Sequence, residues 1–289
     1  LNVWSKYPRS PEAAEAAKRI NLVDIPLERR IERANNLMAG GDASTSRAEF
    51  TALLPRLSGP NLELARVRIG IADYRLRRDT AMAALRTATA ADPATDAERL
   101  FYLVLAAKRA KAYDAMGQAM DALNRKHPRS PFRLEALANA AGQFWVGGDS
   151  VRSMPLYEAC ATDFAGEKMA EDCEWKVAIQ HYILRKPTAS QKLELYLRLH
   201  PEGEHASAAL YFLGRASEGR RDNSSAKAYY TRAVEVFPNH FYAELCRERL
   251  LQSSLKAIGA SGAVVAALQQ IRFPLTLLQL CLLYTSDAA

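Results

Sequence analysis

The chain has 289 residues with 49% apolar side chains and 25% charged ones, enough to bury a sizeable core and too apolar to remain disordered. Its 39 Lys and Arg against 32 Asp and Glu leave a net charge of +7, which draws polyanions without choosing among nucleic acid, anionic membrane and acidic cell-wall polymer. Basic residues are interspersed with acidic ones rather than gathered in an arm, so solvated helix faces are the simpler account, and no apolar run of about twenty residues signals a membrane span.

Ala, Leu, Arg and Glu dominate and β-branched residues rarely cluster, which predicts an all-α chain. Leu1 stands where a start methionine would, and no basic stretch leads into an apolar one, so the N-terminus reads as incomplete, with any signal peptide missing. Helix punctuation then recurs. Ser10-Pro11 and Ser130-Pro131 each place Ser at an N-cap and Pro in the first turn, where its missing N–H costs nothing. Stops and caps predict helices over 11–20, 27–39, 46–57, 62–77, 80–91, 96–110, 113–126, 131–146, 150–164, 168–185, 190–199, 204–219, 224–236 and 240–252. Gly40-Gly41 and Gly147-Gly148 supply left-handed residues at helix ends, with Asp149 and Asn223 offered as the next caps. The joints are short, so neighbours should form antiparallel hairpins.

Pro60, Pro93, Pro128, Ala165-Gly166, Pro201 and Pro238 lie 33 to 37 residues apart, close to the 34-residue helix–turn–helix repeat. One helix pair cannot bury its apolar face alone, so the expectation is a tetratricopeptide-like, right-handed α-superhelix, a solenoid of hairpins over residues 1–252. Residues 253–280 read as the start of a further helical or linker segment. The end, Cys281-Leu282-Leu283-Tyr284-Thr285-Ser286-Asp287-Ala288-Ala289, resembles translated sequencing adapter and is read as a non-native tail.

Motifs for catalysis are absent: no phosphate-cradling Gly-Lys-Ser/Thr loop, no dinucleotide glycine pattern, no His-Glu-x-x-His pair. His127, His181, His200, His205 and His240 are dispersed, whereas zinc needs three or four converging ligands. No catalytic, cofactor-binding or metal-binding residue is assigned. Trp4, Trp145, Trp175 and the tyrosines fall at helical spacings that read as core packing. Cys160 and Cys173 stand symmetrically about the turn Ala165-Gly166-Glu167, level on adjacent helices, where they form either a disulfide or two buried thiols. Cys246 reads as a core residue.

The stretch from about Pro128 to Leu250 resembles the superhelical domain of soluble lytic murein transglycosylases. The residues that carry the resemblance are Asp172-Cys173-Glu174-Trp175-Lys176-Val177-Ala178, Tyr211-Phe212-Leu213-Gly214-Arg215-Ala216, Ala226-Lys227-Ala228-Tyr229-Tyr230 and Phe237 through Leu250. His240-Phe241 replaces the Ser-Tyr more usual in that family. The resemblance implies a bacterial periplasmic protein whose helical array holds a lysozyme-like domain against peptidoglycan. That domain's single Glu cleaves the bond between N-acetylmuramic acid and N-acetylglucosamine to give 1,6-anhydromuropeptides. The family's Glu-Ser and Gly-Leu-Met-Gln motif does not occur here, so no catalytic residue carries over and the chain alone is expected to be inactive. The competing readings are a tetratricopeptide adaptor holding a protein or peptide on its concave face, and an outer-membrane or cell-division accessory protein. Nucleic acid ranks last.

Overall fold

A computed structural model describes residues 1–274. Among the described residues the chain is all-helical, without a strand. The helices are α1 (Asn2–Lys6), α2 (Pro11–Ala17), α3 (Leu27–Ala39), α4 (Ala43–Leu53), α5 (Gly59–Arg75), α6 (Ala81–Thr87), α7 (Pro93–Arg109), α8 (Tyr113–Lys126) and α9 (Pro131–Val146). They continue as α10 (Ser150–Asp163), α11 (Lys168–Ile183), α12 (Ala189–Leu199), α13 (Ala206–Gly219), α14 (Asn223–Val236), α15 (Phe241–Leu250), α16 (Ser253–Lys256) and α17 (Gly262–Gln269). The contacts divide the chain into two compact units, Leu1–Asp149 and a second that begins at Ser150.

The caps explain why the helices begin where they do. Side-chain oxygens of Ser10, Asp42, Asp92, Ser130 and Asp222 each accept a hydrogen bond from a backbone N–H in the first turn of the helix that follows. Two of these correct the sequence reading. The cap of α14 is Asp222, one residue before Asn223, because its carboxylate reaches Ser225 N at 3.0 Å. Helix α7 starts at Pro93 rather than 96, since Asp92-Pro93 is the same cap-and-proline device as Ser10-Pro11. Helix α6 stops at Thr87, four residues early, where Ala88 turns extended. Residues 54–56 form a separate 3-10 turn ahead of Leu57.

A regular feature emerges at the turns. Gly41, Arg77, Lys111, Gly148, Arg185 and Arg221 all have positive φ, between 52° and 89°, and stand 36, 34, 37, 37 and 36 residues apart. The next residue's N–H returns to a carbonyl five residues back at every one: Asp42 to Leu37, Arg78 to Asp73, Ala112 to Ala107, Asp149 to Phe144, Lys186 to His181 and Asp222 to Ser217, all 2.9–3.0 Å. This closure satisfies helix-end carbonyls and turns the chain back. Four of the six left-handed residues carry a side chain, which is why glycine signals alone reveal only two of them.

In the first unit each of α3 to α9 packs on the next, and α3, α5, α7 and α9 also pack on one another in succession. Ile31, Ala34, Phe50, Leu53, Leu57 and Ala65 form a dry core between α3, α4 and α5. Asp96 is buried here with Arg99, which donates to it at 2.6 Å and 2.9 Å, and His127 Nε2 at 3.0 Å. In the second unit α10 through α15 pack in sequence, α13 also meets α15, and α16 and α17 lie on α14. Tyr196, Tyr230, Leu193, Leu197 and Leu210 fill its interior. Gly214 on α13 is covered by the Tyr230 ring from α14, which leaves no room for a Cβ. Residues 253–274 thus add two short helices, while the rest of the expected segment, 275–280, and the tail at 281–289 fall outside the described residues.

Candidate functional site

The structure joins Cys160 on α10 to Cys173 on α11 by a disulfide, with Cα atoms 6.0 Å apart and both residues buried. It closes over the turn at Gly166, whose φ of 95° only glycine adopts freely. Cys246 is fully buried and burial pushes its thiol up to about 12, so it packs as a small hydrophobe.

Four of the five histidines are helix caps, and His181 lies in the last turn of α11. His127 meets Asp96, His181 Nδ1 lies 2.7 Å from Thr188 Oγ1, and His200 Nε2 lies 2.6 Å from Glu174. His205 stacks on Trp175 with centroids 4.8 Å apart, and His240 Nδ1 is 3.2 Å from Ser207 Oγ. Burial lowers the affinity of His181 and His205 for a proton, and Lys186 and Lys192 act in the same direction on His181. Among the described residues no group of three or more His, Cys, Asp or Glu is placed to hold a metal ion.

Trp4 and Trp175 lie in the core, and Trp145 is half-buried. The other aromatic rings of the second unit divide differently. Tyr182 on α11, Tyr211 and Phe212 on α13 and Tyr242 on α15 are each half-buried, with their rings tilted against one another. Tyr182 is 4.9 Å from Phe212, Phe212 is 5.6 Å from Tyr242, and Tyr211 is 5.5 Å from Tyr242, centroid to centroid. Phe241, 71% exposed, extends the row from Tyr242. These spacings fall in the range of interacting aromatic pairs. Arg215 crosses the row: its Nη1 donates to Tyr211 Oη at 3.1 Å and its Nε lies 3.3 Å from Glu218.

Beside the row opens a cleft of about 680 Å³, bounded by Tyr182, Arg185, Lys186, Ser190, Arg215 and Arg220 together with the apolar Ile183, Pro187 and Ala189. Burial raises the phenol of Tyr182, keeping it neutral, while the hydrogen bond to Tyr211 keeps Arg215 charged. Such a site has no nucleophile activated by a base. It can stack, donate hydrogen bonds and attract anions.

Sequence reasoning missed this face because it assigned every tyrosine to the core by helical spacing. The signal that finds it is the register to the repeated turns. Tyr182 lies three residues before left-handed Arg185, on the same side of its helix as Ile179, and only tertiary packing shows that α11, α13 and α15 present these faces together.

Compared with models of known protein families and with curated proteins, the chain matches none. Among the described residues no helix is long and apolar enough to cross a membrane.

Proposed function

We propose that this chain is the non-catalytic superhelical scaffold of a peptidoglycan lytic transglycosylase, working in the bacterial periplasm. In this reading the hairpins between the regularly spaced left-handed turns stack into a tetratricopeptide-like right-handed solenoid, and the catalytic Glu belongs to sequence outside these residues. The scaffold holds the glycan–peptide polymer for that catalytic part. The observation that carries the reading is the half-buried row Tyr182, Phe212, Tyr211 and Tyr242 beside a cationic cleft, a surface on which sugar rings can stack while carboxylates are held by arginine. The disulfide between Cys160 and Cys173 supports an oxidising compartment.

The test is co-sedimentation of the purified chain with murein sacculi, together with analysis of the soluble products. The chain should pellet, the Tyr182→Ala/Tyr242→Ala variant should remain largely in the supernatant, and no anhydromuropeptide should be released. A chain that stays in solution refutes binding, and released anhydromuropeptides refute the non-catalytic assignment. The cleft favours a second reading, a tetratricopeptide adaptor for an acidic peptide. Saturable peptide binding without sacculus binding would select it.

A further inference from the structure

The cleft beside the aromatic row has an imbalance of charge. Arg185, Lys186, Arg215 and Arg220 border it, and no Asp or Glu does. Arg215 alone among them has an acidic partner, Glu218, which also holds Arg249 at 2.6 Å and accepts from Tyr230 Oη at 2.8 Å. Arg220 donates only to neutral hydroxyls, Ser190 Oγ at 2.8 Å and Ser217 Oγ at 3.3 Å. Lys186 Nζ meets the Met154 sulfur at 3.1 Å, and among the described residues the exposed Arg185 makes no ion pair. Among the described residues none of these three cations forms a direct ion pair, although Asp222, its carboxyl lowered first by the bonds from Ser225, stands near enough to Arg220 to be lowered further by it.

Helix ends explain part of this. Ile183 closes α11 and Gly219 closes α13, and a cation at a helix C-terminus is favoured by the aligned peptide dipoles. That effect accounts for Arg185 and Arg220. It does not account for Lys186 in the same walled space, nor for the apolar and aromatic lining between them. The three side chains are exposed, so water and salt weaken their mutual repulsion without neutralising it. A bound polyanion relieves that repulsion.

The cavity is about 680 Å³, within the range of sites that enclose ligands the size of a short peptide and far larger than one inorganic anion requires. Ile183, Pro187, Ala189 and the Tyr182 ring offer apolar surface for small aliphatic side chains, and the guanidiniums of Arg185 and Arg220 offer forked donors for carboxylates. We propose that this cleft binds an extended acidic peptide carrying alternating carboxylate and small aliphatic side chains. The inference does not depend on the scaffold role, since any partner presenting such a peptide satisfies it.

The experiment titrates the full chain into a fluorescein-labelled peptide of alternating glutamate and alanine and follows anisotropy, with the glutamine version as control. The glutamate peptide should bind saturably and the glutamine peptide at least about tenfold more weakly, the effect expected from losing one charge-assisted hydrogen bond. The variant Arg185→Gln/Lys186→Gln, whose side chains face solvent, should lose about the same factor while keeping the helical circular dichroism of the parent. Arg125→Gln/Arg129→Gln, the same charge change on exposed residues of the first unit, should leave binding unchanged. Equal binding of both peptides, an equal loss in the Arg125/Arg129 variant, or displacement by an equimolar inorganic phosphate or sulfated oligosaccharide overturns the proposal. A chain that pellets with sacculi but ignores the peptide removes this inference and leaves the scaffold reading intact. The reverse result does the opposite.

Discussion

Replacing Gly214 by alanine should destabilise the second unit although alanine is the better helix former. A Cβ at this position would stand 2.7 Å from Cδ1 and 2.6 Å from Cζ of the Tyr230 ring, well inside van der Waals contact. The ring cannot swing away freely. It is fully buried, and its hydroxyl donates to Glu218, which is held in turn by both guanidinium contacts from Arg249. Forcing an added methyl into a packed core costs about 1–3 kcal/mol, and weakening the tyrosine's bond to a carboxylate adds about 1.5–3 kcal/mol if it is lost outright. The helix gains roughly 1 kcal/mol on exchanging glycine for alanine. The balance is a loss of about 0–2 kcal/mol if the tyrosine's bond survives and about 1.5–5 kcal/mol if it breaks, seen as a fall of a few degrees in melting temperature per kcal/mol. The internal control is Gly117→Ala on α8, where a Cβ meets nothing within 4 Å and the same chemical change should stabilise by up to about 1 kcal/mol. Urea titrations and thermal melts followed by circular dichroism measure both. If Gly214→Ala were as stable as Gly117→Ala, the close approach of α13 and α14 described above would be wrong.

Reduction of the Cys160–Cys173 disulfide, which closes a loop of 13 residues, should cost about 3 kcal/mol by loop entropy, visible as a lower melting temperature with dithiothreitol and as alkylation of both cysteines only after reduction. Asp96→Asn leaves buried Arg99 without its carboxylate and should cost about 3–5 kcal/mol in denaturant titrations. Burial opposes ionisation of Asp96, but the bonds from His127 and Arg99 win and hold its carboxyl below the usual value. A carboxylate with a lowered folded value contributes stability above its unfolded value and loses it as pH falls toward the folded one. The parent should therefore weaken below about pH 4 with a steeper slope than Asp96→Asn. His181 and His205, also lowered, favour the folded chain while neutral, so a second loss should begin as pH falls below about 6.5 and shrink in His181→Phe. Arg77→Gly and Lys111→Gly remove side chains from left-handed positions with φ of 58° and 56° and should each stabilise by up to about 1 kcal/mol, a result that unchanged melts would contradict.

Local chemistry made much of this chain readable. Ser10 and Ser130 announce helix starts through oxygens that reach a first-turn N–H, and Pro11 and Pro131 tolerate only that neighbourhood, so these starts follow from residues a few positions apart. The start of α4 at Ala43, capped by Asp42, and the short α1, α16 and α17 went unread. The level placement of Cys160 and Cys173 about Gly166 is likewise a local matter, since one tight turn sets which positions of two helices face each other. Boundaries slipped where two devices competed. Asp222 and Asn223 are both competent caps, and only the backbone shows which carboxylate or amide reaches Ser225.

What the sequence determined by itself is the all-α character, the rhythm of hairpins and the pairs of helices joined by short turns, because capping, proline placement and helix propensity act within a single turn of chain. Tertiary structure alone decided which rings of a helix with apolar residues all round are buried and which stand at the surface. Trp175 and Tyr182 are seven residues apart on α11 and occupy nearly the same side, yet Trp175 is covered by His205 and Tyr196, whereas Tyr182 is left half-open beside Phe212. The difference lies in residues that arrive from α12 and α13, twenty to thirty positions away. The same is true of the cleft: Arg185, Lys186 and Arg220 read singly as helix-end cations, and only packing gathers their charges into one concavity.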